Sequence, residues 1–341
     1  IDGISVSSVC FGLHLAAPFY NTDQRSGRFS KMYDEPNISE IEEHVKNYFP
    51  NQNTKSVIDF IRKGLEIYSK NKEKVTKIAA EQIKLERPFV SEKYISSNAS
   101  KFAQEQLRMF ISMVAPTALE YTINISTLAA FYRTAWTPEM RDVIGKMVRI
   151  VTDKYPDISY MFDESVKSNE NWSPEYKNNK FFGIFNLKPK LKSSPELKVL
   201  GVKYDPKTIN TNDNVKDMVD TFYFLPKCMN NTQNFVSTDV EISCATMGQD
   251  QRHRTIKRSE PVFTGNFYLP PLLKLAGLEK QAIEFMNEFN SMLSNGKFDQ
   301  NLVTMIAPYG TMIRYTKNSD LNALMHEQGK RTCWCAQEEI Y

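Results

Sequence analysis

Apolar and polar positions along this chain fall into blocks whose spacing predicts its elements. From Lys55 to about Glu86 the residues Val57, Ile58, Ile61, Leu65, Ile67 and Tyr68 recur at helical spacing among lysines, which predicts a long amphipathic helix. A second helix is expected from about Ser100 to Val114, stopped by Pro116. A third is expected from Pro138 through Met147 and Ile150, because proline costs little at the first helical position. Ile4 to Phe19 mixes β-branched, small and aromatic residues and reads as strand followed by turn. Glu164 to Ser194, rich in Asn, Ser, Pro and Lys, reads as a linker. Beyond it, Leu197 to Tyr204 and Phe235 to Cys244 read as strands, and a helical region opens at Pro271.

The two sides of that linker repeat each other. Met113-Val114-Ala115-Pro116 returns as Met305-Ile306-Ala307-Pro308, each followed by a Tyr-Thr pair, Tyr121-Thr122 and Tyr315-Thr316. Arg133-Thr134-Ala135-Trp136-Thr137-Pro138-Glu139 returns as Arg331-Thr332-Cys333-Trp334-Cys335-Ala336-Gln337. With only 3 tryptophans in the chain, two in one frame weigh heavily. Ser26-Gly27-Arg28-Phe29 returns as Thr264-Gly265-Asn266-Phe267 upstream of both, in the same order. The matches predict an internal duplication, with residues 1–165 as a first module, 166–194 as linker and 195–341 as a second. Chance similarity between short helical segments is the alternative.

Composition narrows the partners. Lys plus Arg number 43 against 40 Asp plus Glu, so no global field holds a nucleic-acid backbone or a membrane surface, and any anion needs a local arginine cluster. The 5 cysteines are an odd, sparse set in 341 residues, which suits a reducing cytoplasm better than a disulfide framework. No apolar run long enough to span a bilayer and no basic-then-apolar leader is visible. A chain running from Ile1 to Tyr341 reads as a fragment cut from a longer protein. Cys333 and Cys335 without a second pair are not a zinc signature, and no metal is expected. Walker-type, serine-hydrolase and Gly-x-Gly-x-x-Gly patterns are missing, which disfavours a Rossmann fold.

The chemistry concentrates in a few places. Gln249-Asp250-Gln251-Arg252-His253-Arg254 sets two guanidiniums around an imidazole, with Glu260 close behind. Arginine offers a planar fork of donors matched to phosphate oxygens, and it also lies against aromatic rings. An exposed basic turn is the competing reading. Ser26-Gly27-Arg28 places a hydroxyl and a guanidinium around a glycine that lets backbone approach an anion, though such turns also occur as solvated loop. Arg133 and Arg331 sit in matched frames, each nine residues after an asparagine, Asn124 and Asn322. A surface arginine and a helix-capping asparagine are the alternatives for those pairs.

Together these residues resemble the flavin-dependent thymidylate synthase family, whose signature reads Arg-His-Arg-x-x-Ser-x-Asn-Glu-x-Ser-x-Arg-Tyr. Arg252, His253, Arg254 and Glu260 match its first part in register. Arg331, Ala336, Gln337, Glu339 and Ile340 match a second family feature, an arginine five residues before Ala-Gln-Trp-Glu-Ile-Arg. Ser26-Gly27-Arg28-Phe29 match the closing Ser-x-Arg-Tyr. The departures divide between the halves. The first shows His14-Leu15-Ala16-Ala17-Pro18 in place of Arg-His-Arg, and the second has Lys257 for the motif serine and Asn266 for the phosphate arginine after a two-residue insertion.

The resemblance implies an α+β fold of two modules, each a small sheet with a long helical layer. It implies reductive methylation of dUMP to dTMP with FAD, methylenetetrahydrofolate and NADPH. On that basis Arg252, His253, Arg254, Asn322 and Arg331 would line the flavin. Arg28, Ser26 and Arg133 would hold the nucleotide, and Gln249 and Glu260 would lie near its base. No catalytic nucleophile is implied. Because the halves have lost complementary parts, the expectation is one composite site in a pseudo-dimer, with self-association through the modules or as a homo-oligomer. The competing classes are a catalytically degenerate scaffold that keeps the fold, and a nucleic-acid binder using Lys188 to Lys203, whose lysines have few aromatic partners.

Overall fold

The computed structural model describes residues 1–15, 20–25, 38–166, 188–207, 231–332 and 337–340. Its architecture is α+β. Strand β1 (Asp2–Ser5) passes directly into α1 (Val6–Ser8) and a π-helical turn at Val9–Leu13, so the expected turn after the first strand is helical instead. Ser5 makes this switch: with extended backbone, its hydroxyl accepts from the Ser8 N–H and satisfies an orphan donor of the new helix. β2 (Tyr20–Gln24) and β1 both pair antiparallel with β3 (Pro116–Ile123), in the order β1-β3-β2.

Between β2 and β3 come α2 (Ile38–Tyr48), α3 (Thr54–Glu86) and α4 (Glu92–Leu107). The long α3 falls where its periodicity placed it, capped by Asn53, with Val57, Ile58, Ile61, Leu65, Ile67 and Tyr68 buried. α4 starts and ends earlier than expected, because Met109 to Ala115 leave the helix to join the two halves. There the Met113 N–H donates to the Ala307 carbonyl (2.8 Å), Tyr309 to Ile111 (2.9 Å) and Gly310 to Met109 (2.9 Å). The two segments matched in sequence as repeats therefore run antiparallel against each other, bridged at Ser112 and Pro308. After β3 come α5 (Ile125–Thr134) and α6 (Pro138–Lys154), the latter capped by Thr137 with proline in its first turn.

The second half holds a six-stranded sheet. β4 (Leu191–Lys192) lies inside the stretch read as linker and pairs parallel with β8 (Val262–Tyr268). β5 (Glu196–Lys203), β6 (Phe235–Ser243) and β9 (Thr311–Asp320) complete the order β4-β8-β9-β6-β5, with β7 (Lys257–Arg258) against β9. α7 (Cys244–Asp250) follows β6 and is capped by Ser243. The region beyond Pro271 is helical only in part. α8 (Pro271–Leu275), α9 (Glu279–Ser294) and α10 (Gln300–Met305) are interrupted by β9 before α11 (Leu321–Arg331).

The buried core runs without a break from Ile4 in the first half to Tyr315 in the second. Phe60 of α3 stacks on Phe285 of α9 at 4.6 Å, and Phe285 meets Phe110 edge-on at 5.6 Å. Gly64 lets α3 approach this closely: a Cβ there would stand 2.1 Å from the Phe110 carbonyl oxygen. The far end of α3 packs Ala79 and Ile83 on Ile95 and Ala99 of α4 in a separate small cluster. No helix among the described residues is long and apolar enough to cross a membrane.

Candidate functional site

The turn that follows α7 carries Arg252, His253 and Arg254, and it reaches across to the first half. Arg252, half-buried, donates to Gln24 Oε1 of β2 at 3.2 Å. The exposed Arg254 guanidinium lies over the Tyr20 ring, 4.9 Å from its centroid. Tyr20 stacks on His14 at 5.0 Å and meets Tyr121 at 5.5 Å. Burial, then the charges of Arg252 and Arg254, push His14 down to about 3, so its imidazole is neutral at physiological pH. Among the described residues His14 Nε2 and the Tyr20 hydroxyl are buried without a hydrogen-bond partner. Ser26 and Arg28 lie outside the described residues.

The other predicted flavin residues face inward. Arg331, on the last turn of α11, donates from Nε to His253 Nε2 (2.7 Å) and from Nη2 to the Gln249 carbonyl (2.6 Å). Gln249 Nε2 donates to Gln337 Oε1 (3.1 Å), which also accepts from Arg108 Nη2 (2.6 Å). His253 is 4% exposed, and burial with the Arg331 charge pushes it down to about 3. Asn322 is buried as the second residue of α11, whose cap is Asp320. Asn124, by contrast, is itself the cap of α5, so the two asparagines are not equivalent. Arg133 is exposed on the last turn of α5, and Glu260 is exposed between β7 and β8. Asn266 is 4% exposed and built into the sheet: its amide donates to Glu241 (2.7 Å) and its carbonyl accepts from the Lys190 N–H (2.9 Å).

A buried charge cluster escaped the sequence reading. Asp250, 2% exposed, accepts from Arg258 Nε (2.5 Å), Lys317 Nζ (2.6 Å) and the Tyr315 hydroxyl (2.7 Å). Burial raises its carboxyl, but Arg258 and Lys317 outweigh that and hold it far below the usual carboxylate range. Lys317 also donates to Glu327 (2.7 Å) on α11, which burial pushes up to about 6. The members lie on four elements spread over 78 residues, so their meeting leaves no local pattern, although Asp250, Arg258 and Tyr315 each stood in or beside a stretch the sequence had singled out.

One carboxylate arrangement occurs twice. Glu139 accepts from the Ser5 N–H (2.8 Å), the Ser5 hydroxyl and the Ser8 hydroxyl (2.5 Å). Glu339 accepts from the Ser243 N–H (2.6 Å), the Ser243 hydroxyl and Thr246 Oγ1 (2.5 Å). In the frame of the sequence matches Glu139 stood opposite Gln337, two positions from Glu339. Cys10 and Cys244 are buried, and burial pushes the Cys10 thiol up to about 11, so neither presents a thiolate. Among the described residues no three His, Cys, Asp or Glu side chains stand together as a metal site.

No family model matches the chain, and no curated protein matches it. Among solved structures it is similar to a UMP/dUMP methylase, PolB from Streptomyces cacaoi, bound with 5-Br UMP. The identity is 15% and the TM-score 0.34, over 45% of this chain and 86% of that one.

Proposed function

We propose that the chain is a tandem relative of the flavin-dependent thymidylate synthases, binding FAD and dUMP on a site shared by its halves and carrying out reductive methylation to dTMP. The observation that carries this reading is the reach of Arg252 to Gln24 and of Arg254 to Tyr20, which joins the cationic turn of one half to the aromatic strand of the other. The repeated carboxylate arrangement at Glu139 and Glu339 supports the tandem organisation.

The residues fit a flavin dinucleotide at its phosphates. Two guanidiniums stand beside buried polar atoms of His14 and Tyr20 that have no hydrogen-bond partner among the described residues, and a buried polar atom without a partner is costly. Bound FAD would supply the reducing equivalents, and methylenetetrahydrofolate the one-carbon unit. The chain itself would position: Arg252 and Arg254 hold phosphate, while His253 and Gln249 lock Arg331 against the turn so that the two outer guanidiniums stay oriented.

The inward network favours a second reading, a scaffold that binds without turning over, because Arg331, His253 and Gln249 bond to one another. The visible spectrum of the purified protein, titrated with FAD and then with dUMP, tests the first point. Flavin uptake whose spectrum responds to dUMP, and which is lost in Arg254→Ala, supports the shared site; a protein that takes up no flavin refutes it. Turnover of dUMP then separates enzyme from scaffold.

A further inference from the structure

We propose that the groove between one face of the larger sheet and α11 is a separate binding site, taking one flat heterocycle with a row of N–H donors per chain. The groove is open to solvent on one side and holds a cavity of about 170 Å³. Val236, Val240 and Ile242 alternate along β6 and, with Leu197 of β5, form one apolar wall; Leu324 of α11 faces them. Two apolar walls above a few convergent polar groups are what a planar ring requires.

The charge of the lining selects the ligand's edge. Glu196, Asp250, Glu327 and Glu339 line the groove against Lys317 and Arg331. Arg331 is turned onto His253 and the Gln249 carbonyl, Lys317 is shared between Asp250 and Glu327, and Glu339 is engaged by Ser243 and Thr246. Glu196 is held by Lys192 and Arg314 and Asp250 also by Arg258, which leaves Glu327, with Lys317 as its cationic partner, as the lining carboxylate carried by the helix. An N–C–N edge carrying hydrogens matches a carboxylate at two points. Glu327 faces Lys317 from β9, Asp250 from α7, Arg258 from β7 and Tyr315 from β9. Burial raises its carboxyl to about 6 against the pull of Lys317, so above that pH it is ionised and accepts.

Among the described residues the first half has no counterpart. From the aligned pairs Ser5 with Pro116 and Ser243 with Met312, Leu119 takes the place of Tyr315 and Tyr121 that of Lys317. Counting from the caps Asn124 and Asp320, Leu128 takes the place of Leu324 and Phe131 that of Glu327. Leu119, Leu128 and Phe131 are buried in the core, so the equivalent space is filled and uncharged. The site does not depend on flavin binding.

Isothermal titration of the whole chain with 2-aminobenzimidazole, a flat ring with the required donor edge, tests the proposal. The expected result at pH 7.5 is one molecule per chain. Binding should weaken at least tenfold in Glu327→Gln and on lowering the pH through about 6, vanish in Leu324→Trp, and persist in Arg254→Ala. Leu324 is half-exposed, so tryptophan can fill the groove without disturbing the core, and a thermal melt confirms that the variant is folded. If Glu327→Gln does not fold, Leu324→Trp decides. No heat from the parent protein, two molecules per chain, or unchanged affinity in Leu324→Trp would overturn the site. Loss of FAD uptake with the probe still bound would sink the flavin reading alone.

Discussion

Glu139 and Glu339, 200 residues apart, are held by the same three kinds of donor: a serine N–H, that serine's hydroxyl, and a hydroxyl three residues on. Their surroundings differ in one respect that matters. The imidazole of His44 stands 2.9 Å from Glu139, and among the described residues Glu339 has no imidazole beside it. Burial pushes both carboxyls up; at Glu139 the His44 contact and the two serines more than offset it and leave the value lowered, whereas at Glu339 burial prevails.

Opposite pH responses follow. A lowered carboxyl stabilises the fold above its ordinary value near 4.5 and loses that contribution as pH falls through the lowered value. Glu139→Gln should therefore cost about 2 kcal/mol at pH 7 and progressively less in acid. A raised carboxyl weakens the fold once ionised, so Glu339→Gln should cost under about 1 kcal/mol at pH 7, with the deficit growing toward pH 4. Urea unfolding of both variants from pH 3 to 8 measures this; parallel pH profiles would refute it.

Arg252→Ala and Arg254→Ala should each weaken flavin binding roughly 10- to 100-fold, the loss of a charge-assisted contact of ~1.5–3 kcal/mol. Without ligand, the Arg254 and Tyr20 contact is exposed on the arginine side, and a double-mutant cycle with Tyr20→Leu should return ~0.5–1 kcal/mol of coupling. Zero coupling would separate the two halves at this point.

His14 and His253 are buried neutral, each pushed down to about 3 from an ordinary value of 6.5. The unfolded chain takes up these protons first, so stability is full above about 6.5 and declines as pH falls from there toward 3. Phenylalanine keeps the stack on Tyr20 and has no site for the proton. His14→Phe should leave the melting temperature at pH 7.5 nearly unchanged and raise it at pH 4.5. Equal melting of parent and variant at pH 4.5 would count against a neutral His14.

Gly64→Ala places a methyl 2.1 Å from the Phe110 carbonyl, a backbone atom that cannot swing aside. Overpacking of this kind costs ~2–3 kcal/mol, more than the helix gains from alanine. The chain should melt several degrees lower, and an unchanged melt would mean that α3 stands farther from the turn at Arg108–Phe110.

By itself the sequence determined the elements whose signal is local. α3 came from the helical spacing of its apolar residues from Val57 to Tyr68, α6 from a proline in its first turn, and β5 and β6 from their strand-like stretches. It also determined that two stretches of the chain look alike and that Arg252, His253 and Arg254 form a cationic turn. Tertiary structure decided what is set by contacts between distant residues. It laid Met113–Ala115 against Ala307 instead of extending α4, and inserted β9 among helices through its ladder with β6. It set Glu139 and Glu339 in like donor arrangements, although the sequence matched Glu139 to Gln337. It also split the cationic turn, sending His253 inward to Arg331 and Arg254 outward to Tyr20. The physical reason is that burial and charge pairing act through space: Asp250 and Lys317 lie 67 residues apart, and only the fold brings them to 2.6 Å.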